Sequence, residues 1–300
     1  MILKLASSIS IALMLGGLPQ QKAGFVLERY ESFNDSPRLN LPSEYINHLK
    51  ATRFQHGELD NLPKNAIVLY ADVAQMLGEI GFTKEEIGAP LKLGTSDPTV
   101  LFVIRPKKGS PFMLEQGLPG AGGITTQAAE LITLGARTIV HIGTCAVLGN
   151  FADSNDVILA QGSYKDGAGV LLSSGPPNQI ASIAYPGENA TGQLRAALQH
   201  DGVQVVSGIG FTSPVYYFES SGLYTDLLTG PWKPRPNYIE MEQGPFFELA
   251  RRMGASAASM VVAGDRYRVV SGKLTHDFLN DEKRAAALRV AFAAALQSFK

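Results

Sequence analysis

From about residue 65 onward, short apolar runs alternate with amphipathic stretches, and this alternation constrains the fold more than any other feature of the chain. The apolar runs predict strands at 66–71, 100–104, 112–116, 139–142, 157–160, 203–207 and 257–263. Helical periodicity predicts helices at 125–134, 192–200, 245–253 and 281–299, with a further helix-compatible piece at 42–53. Such alternation indicates an α/β fold, a three-layer sandwich in which a mixed, mostly parallel sheet carries helices on both faces.

The chain length of 300 residues, 45% of them apolar, allows one large core. We predict a single domain over residues 65–300, preceded by a polar, irregular extension at 25–64. The first 24 residues place one lysine ahead of an apolar stretch, 5–18, that is too short to span a bilayer. This layout favours a secretory signal and a periplasmic or secreted location. The alternative is an N-terminal helix packed on the domain of a cytoplasmic protein.

Charge and cysteine content narrow the class of partner. A formal net charge of −1 provides no electrostatic attraction for nucleic acid or for an anionic membrane. Cys145 is the only cysteine, and the five histidines have no spacing typical of a zinc site, so we expect no metal. The expected partner is a small molecule or another copy of the chain.

Two acidic segments stand where α/β proteins place functional groups. Glu240 and Glu242 precede Pro245 at the start of a predicted helix, where carboxylates are favoured. Asp265 follows an apolar strand at its C-terminal end, the edge at which open α/β sheets bind ligands. Taken alone, the glutamates could be ordinary first-turn residues, and Asp265 could cap a loop or pair with a neighbouring arginine.

Four segments resemble the nucleoside phosphorylase family of hexameric purine nucleoside phosphorylases and uridine phosphorylases. They are the glycine-rich turn 117–123, the strand end His-Ile-Gly-Thr-Cys at 141–145, the strand and turn at 156–157 and 165–168, and the Glu-Met-Glu signature at 240–242. The resemblance runs from residue 65 to the end and implies a phosphorylase-like catalytic domain. It further implies cleavage of the N-glycosidic bond of a nucleoside without a cofactor, with phosphate as the co-substrate if the reaction is phosphorolysis.

The resemblance also implies roles for individual residues. Glu242 would bind the ribose 2′ and 3′ hydroxyls, Met241 would contact the ribose, and Asp265 would be the general acid at purine N7. Tyr216 falls on the base-stacking position and Thr144 on a phosphate-contacting one, and Glu240 and Cys145 complete the predicted substrate-binding set. The glutamine and arginine that read uracil in uridine phosphorylases are missing after Tyr216, which argues for a purine.

The residues that differ from the family pattern stand at positions that bind phosphate in the family. Asp72 and Met76 stand where the family has a phosphate-loop glycine and arginine, and His141 replaces a second arginine. These changes favour hydrolysis, as in the related methylthioadenosine and adenosylhomocysteine nucleosidases, with Asp72 as the candidate base. Alternatively, Asp72 caps the following helix, and phosphate charge comes from Arg105, Lys107 or Lys108.

Two further expectations concern the whole molecule. The family resemblance implies a homodimer or homohexamer. A non-catalytic nucleoside-binding or storage protein of the same fold is the alternative to an enzyme. The proline-rich segment 222–238 is long enough to form a lid or a wall of the site.

Overall fold

The computed structural model describes residues 41–93, 100–173, 182–215 and 219–299. The predicted signal at 1–24, residues 25–40 of the extension that follows it, and Tyr216 lie outside these ranges. The strands are β1 Asn65–Leu69, β2 Leu91–Lys92, β3 Val100–Ile104, β4 Phe112–Gln116, β5 Thr138–Leu148, β6 Val157–Tyr164, β7 Ile183–Ala184, β8 Val206–Thr212, β9 Tyr238–Glu240, β10 Ser256–Val270 and β11 Lys273–Phe278. The helices are α1 Pro42–Thr52, α2 Val73–Ile80, α3 Gly120–Thr133, α4 Gly167–Leu172, α5 Glu188–His200, α6 Ser221–Thr229, α7 Gln243–Arg252 and α8 Asp281–Ser298.

One mixed sheet contains all of these strands. Its order is β11-β10-β6-β8-β9-β5-β1-β4-β3-β2, with β7 paired to β6. The centre is parallel, because β1 pairs in parallel with both β4 and β5. The predicted α/β class, with a mixed sheet between helices, is therefore confirmed.

Alternation along the central strands explains the three layers. In β1, Ala66 and Val68 pack into one cluster, which is completed by α1, α3 and α7. Ile67 and Leu69 point to the other face and pack with α2, α5 and α8. Strands that are apolar at every position require helices on both sides, because neither face of the sheet can be left in water.

Part of the sheet closes on itself, which the sequence pattern did not predict. Strand β10 pairs in parallel with β5 and antiparallel with β6, and β6, β8, β9 and β5 complete a ring of five strands. The β10–β5 register shifts between Ala263 and Asp265, so Gly264 is the extra residue of a β-bulge. Beyond the bulge, β10 continues into an antiparallel hairpin with β11.

The predicted strands and helices are all present, with shifted ends, and seven of the described elements were missed. They are helices α2, α4 and α6 and strands β2, β7, β9 and β11. Helix α6, Ser221–Thr229, occupies the first half of the segment expected to be a lid or wall. Within the described ranges, no helix combines the length and apolarity that crossing a membrane requires.

We expect Phe292→Ala to lower the free energy of unfolding by about 3–5 kcal/mol, because it leaves a cavity in the core. Phe292 is fully buried in α8, and its ring lies edge-on to that of Phe112, with centroids 6.3 Å apart. Val290 in the same helix is 37% exposed, so Val290→Ala is the control and should cost about 1 kcal/mol or less. Urea unfolding of the three proteins measures both values, and equal losses would contradict this assignment of the core.

Candidate active site

A cavity of about 240 Å³ opens beside the ends of β1 and β9, residues 144–146 of β5 and the bulge of β10. Its walls are Tyr70, Pro119, Thr144, Cys145, Ala146, Ile239, Glu240, Met241, Glu242, Gly264, Asp265 and Arg284. Six residues predicted from the sequence therefore meet in one place, although they come from three separate segments. The volume lies near the lower end of the range for small-molecule sites, roughly 300–1,000 Å³, and suits a small ligand.

Glu240 is a buried anchor at the base of this cavity. One carboxylate oxygen accepts hydrogen bonds from Ser163 Oγ at 2.8 Å and Thr212 Oγ1 at 2.6 Å. The other oxygen accepts from the backbone N–H groups of Glu242 and Gln243, both at 2.6 Å, and so caps the start of α7. Burial raises the pKa of Glu240, and these hydrogen bonds oppose that rise.

Glu242 faces the glycine-rich turn instead. Its Oε1 accepts a hydrogen bond from the backbone N–H of Gly120 at 2.7 Å, and Oε2 accepts one from the N–H of Met241 at 3.2 Å. Gly120 has a φ of +81°, a conformation that favours glycine. Burial, followed by repulsion from Glu240, raises the pKa of Glu242 to about 7. A carboxyl group that titrates near neutral pH in a cavity is typical of a functional site.

Asp265 reaches the cavity because of the bulge at Gly264. The bulge pairs Asp265 with Ala146, another residue of the cavity wall. Its Oδ1 lies 3.8 Å from Nε2 of His276 on the neighbouring strand β11. Arg284, in the first turns of α8, lines the same wall and pairs with Asp281 at 2.9 Å. An acid and a guanidinium group thus share one end of the site.

Tyr70 and Arg284 also line the cavity, although neither was predicted from the sequence to do so. The Tyr70 hydroxyl donates a hydrogen bond to the carbonyl of Leu118 at 2.8 Å. Its ring lies so close to Gly117 that a side chain there would overlap it, which explains one glycine of the turn. The position of Tyr70 directly after an apolar strand was the available signal. Arg284 had no such signal, because it stands in a helix far along the chain.

Thr144 and Cys145 line the cavity as the sequence predicted. Thr144 is the exposed residue of an otherwise buried strand, so its hydroxyl is accessible from the cavity. Cys145 is buried, and burial raises the pKa of its thiol well above the ordinary value. The sulfur is therefore un-ionised at neutral pH and serves as a wall of the cavity.

His141, predicted for the phosphate region, does not line the cavity. It is 1% exposed, its Nδ1 bonds to Ser259 Oγ at 2.8 Å, and its Nε2 makes no hydrogen bond within the described part of the chain. Its ring lies against those of Tyr70 and Phe246. Burial lowers the pKa of His141 to about 3, so the imidazole is neutral at physiological pH and supplies no positive charge.

Asp72 is likewise not part of the cavity wall. Its Oδ1 accepts a hydrogen bond from the backbone N–H of Gln75 at 2.8 Å and caps α2. The structure thus places it as the helix-cap alternative expected. Met76, at the family's arginine position, is buried in the core.

The basic residues after β3 lie at the wrong edge of the sheet to serve this cavity. Strand β3 runs antiparallel to β4, and its last residue, Ile104, pairs with Phe112 at the start of β4. The cavity lies beyond the end of β1, and β4 is parallel to β1. Arg105, Lys107 and Lys108, the alternative source of phosphate charge, therefore do not line this cavity.

Across the described ranges, no cluster of three or more histidine, cysteine, aspartate or glutamate side chains could hold a metal ion. The cavity instead offers carboxylates, a hydroxyl, a thiol and one guanidinium group. These groups can accept hydrogen bonds from hydroxyls and move a proton.

We expect Glu242→Gln to change the pH dependence of stability. Because burial raises the Glu242 pKa from 4.5 to about 7, the folded state binds more protons than the unfolded state between these values. The contribution of Glu242 to wild-type stability is therefore lost as pH rises through 7. Between pH 4.5 and 8, the free energy of unfolding of the variant should rise by about 2–3 kcal/mol relative to that of the wild type. Urea unfolding across this range measures the difference. The exposed Glu188→Gln is the control, and a Glu242→Gln curve parallel to the wild type would refute the assignment.

Comparison with known proteins places this geometry in a family. The sequence profile of the phosphorylase superfamily matches residues 70–298. A comparison with curated proteins found no match. A solved uridine phosphorylase from Vibrio fischeri ES114 superposes with a TM-score of 0.61 at 17% identity, covering 80% of this chain and 93% of that one. The same enzyme complexed with 6-hydroxy-1-naphthoic acid gives 0.60 at 18% identity, covering 80% and 92%. The likeness in structure is one of fold, and the profile match shows that the chain belongs to the phosphorylase superfamily.

Proposed function

We propose that this member of the phosphorylase superfamily cleaves the N-glycosidic bond of a purine nucleoside, with water as the nucleophile. The observation that carries the proposal is the meeting of Glu242, Met241 and Asp265 in one cavity. Each of them stands at a position for which the family resemblance implies a role in this reaction.

The glutamate end of the cavity suits the sugar. Glu242 is fixed by the Gly120 N–H, and it keeps acceptor capacity for the adjacent 2′ and 3′ hydroxyls of a ribose. Hydroxyl donors favour the charged form of a carboxyl group, so a bound ribose would help Glu242 to ionise. The apolar side chain of Met241 provides a surface for the carbon face of the ring.

Negative charge beside the sugar also favours bond cleavage. The sugar develops positive charge at C1′ as the glycosidic bond breaks, and a fixed carboxylate in a poorly solvated site stabilises that charge more than water does. Glu242 and the buried Glu240 both lie at this end. Their arrangement is set before the substrate binds, because hydrogen bonds from backbone N–H groups hold both carboxylates.

The departing base develops negative charge, and Asp265 is the residue that would neutralise it. A purine leaves readily when N7 accepts a proton, and a carboxylic acid at the cavity wall can donate it. Arg284 lies along the same wall and can stabilise negative charge that develops on the departing base.

Water is favoured over phosphate by the charge around the cavity. Arg284 is the one basic residue among the described cavity walls, while Glu240, Glu242 and Asp265 are acids. A phosphate dianion beside ionised carboxylates at low dielectric is repelled by an energy on the order of several kcal/mol. Phosphorolysis is the second candidate function, and the guanidinium group of Arg284 is the observation in its favour.

Asp265→Asn should lower kcat for a purine nucleoside by about a hundredfold or more, with KM changed little, because the amide cannot donate the carboxyl proton. Initial rates of free base release from inosine and adenosine measure the effect. Asp277→Asn is the matched control, because Asp277 belongs to the same hairpin but pairs with Arg268 outside the cavity. Undiminished turnover by Asp265→Asn would remove Asp265 from the mechanism.

Base release with and without phosphate tests the nucleophile. We expect inosine, adenosine or methylthioadenosine to release base in phosphate-free buffer, with little from uridine. A strict requirement for phosphate would instead establish phosphorolysis and turn attention to Arg284. Binding without release under either condition would favour the non-catalytic alternative.

A further inference from the structure

An aromatic stack stands on the hairpin next to Asp265. The His276 ring lies parallel to that of Tyr267, with centroids 4.5 Å apart and an interplanar angle of 10°. Tyr267 in turn stacks on Tyr224 of α6 at 4.2 Å, and Phe278 meets the other side of His276 edge-on at 4.7 Å. The stack restricts the plane of the imidazole ring, and within that plane the Nε2 atom points in one direction.

That direction is toward the proposed general acid. Nε2 of His276 lies 3.8 Å from Oδ1 of Asp265, about 1 Å more than a short hydrogen bond. Catalytic hydrogen bonds are often long before substrate binds and tighten in the complex. The His276 side chain is 34% exposed and that of Asp265 is 22% exposed, so His276 has the greater access to solvent.

The proposed reaction leaves a gap that this pair can fill. A carboxylic acid in water is largely ionised at neutral pH, whereas an imidazole readily carries a proton there. An aspartate that must protonate a base at neutral pH therefore gains from a neighbour able to pass a proton to it.

We propose that His276 is a positioning residue that supplies the proton which Asp265 delivers to the leaving base. As the glycosidic bond breaks, its electron pair goes to the base and the base nitrogen takes the proton of Asp265. Asp265 takes the Nε2 proton of His276, which becomes neutral and is later reprotonated from solvent. The attacking water adds its hydroxyl group to C1′ and releases its remaining proton to solvent. This proton replaces the one that His276 takes up, so the atoms balance. The inference rests on the proposed function and deepens it.

Among the described residues, the titratable groups that face His276 come from β10 and α6. Asp265 and Tyr267 lie on β10, and Tyr224 lies on α6. Glu219, which precedes α6, and Asp265 both act on Tyr224, whose pKa is raised first by burial. Asp277 is next to His276 in β11, but it points to the other face of the hairpin and pairs with Arg268. Asp265 is therefore the carboxyl group that the Nε2 atom of His276 approaches in the structure.

The test compares His276→Gln and His276→Phe with the wild type over pH 5–9, using base release from a purine nucleoside. Both variants remove the titrating proton, and phenylalanine keeps an aromatic ring in the stack. At pH 7.5 we expect kcat to fall about tenfold to a hundredfold, with KM within about twofold. The deficit should shrink below about threefold near pH 5, where the higher proton concentration of the solvent makes a relay residue less necessary.

His200→Gln is the matched control. His200 also pairs with an aspartate, Asp201, at 3.1 Å, but it is 75% exposed at the end of α5, outside the candidate active site. The control should retain the wild-type rate and pH profile. Melting temperatures of all variants identify any loss of folding.

Two outcomes would overturn the inference while leaving the proposed function intact. They are variants with the wild-type rate and profile, and a loss of rate that is equal at every pH. Absence of base release by the wild type from every nucleoside would instead overturn the proposed function, and the inference with it.

Discussion

The buried carboxylate of Glu240 joins strands β6 and β8 to the start of helix α7 through hydrogen bonds of 2.6–2.8 Å. Its partners are two hydroxyls and two backbone N–H groups, so the cost of a charge in the protein interior is partly offset by hydrogen bonds from the chain itself. The orientation of Glu242 follows, because the Glu242 backbone is one of those partners. The two glutamates of the Glu-Met-Glu signature thus have different roles. Glu240 fixes the backbone, and Glu242 faces the glycine-rich turn and the cavity.

This division has an energetic cost. Glu242 is buried close to a second carboxyl group, and desolvation and repulsion together raise its pKa to about 7. Both effects disfavour the folded state at high pH, so the cavity stores destabilisation that a ligand with hydroxyl donors can relieve. Sites that retain such groups commonly exchange stability for function.

The elements that the sequence predicted are those with a local signal. Apolar runs of strand length and alanine-rich helical periodicity are visible in a window of a few residues, and the structure has the strands and helices they indicated. The ring of β5, β10, β6, β8 and β9 has no such signal, because it depends on which distant segments pair. Helix α2 was missed because it is short, although Asp72 provides its cap.

The same distinction holds for the site. The predicted acids share a cavity because Glu240 and Glu242 lie at the end of β9, and the bulge in β10 brings Asp265 to the same place. His141 seemed well placed by its position in a motif, but its side chain turns into the core beside Ser259. The contributions of Arg284 and His276 arise only from folding, since α8 and β11 approach β10 from later in the chain. A motif specifies position along a strand, whereas the direction of the side chain depends on pairing.

The bulge at Gly264 divides strand β10 into two parts, and different physical constraints act on the residues of each part. Before it, Val261 and Ala263 pack with Cys145 and Val147 in the apolar cluster of the ring. In a regular strand, Asp265 would pair with Val147 and its carboxyl would enter that cluster; the extra residue pairs it with Ala146 instead. The alternation of side chains is thereby reset at a single glycine. Substitutions before Gly264 should chiefly change the stability of the protein, and substitutions after it should chiefly change activity. The two properties can therefore evolve independently within one continuous strand.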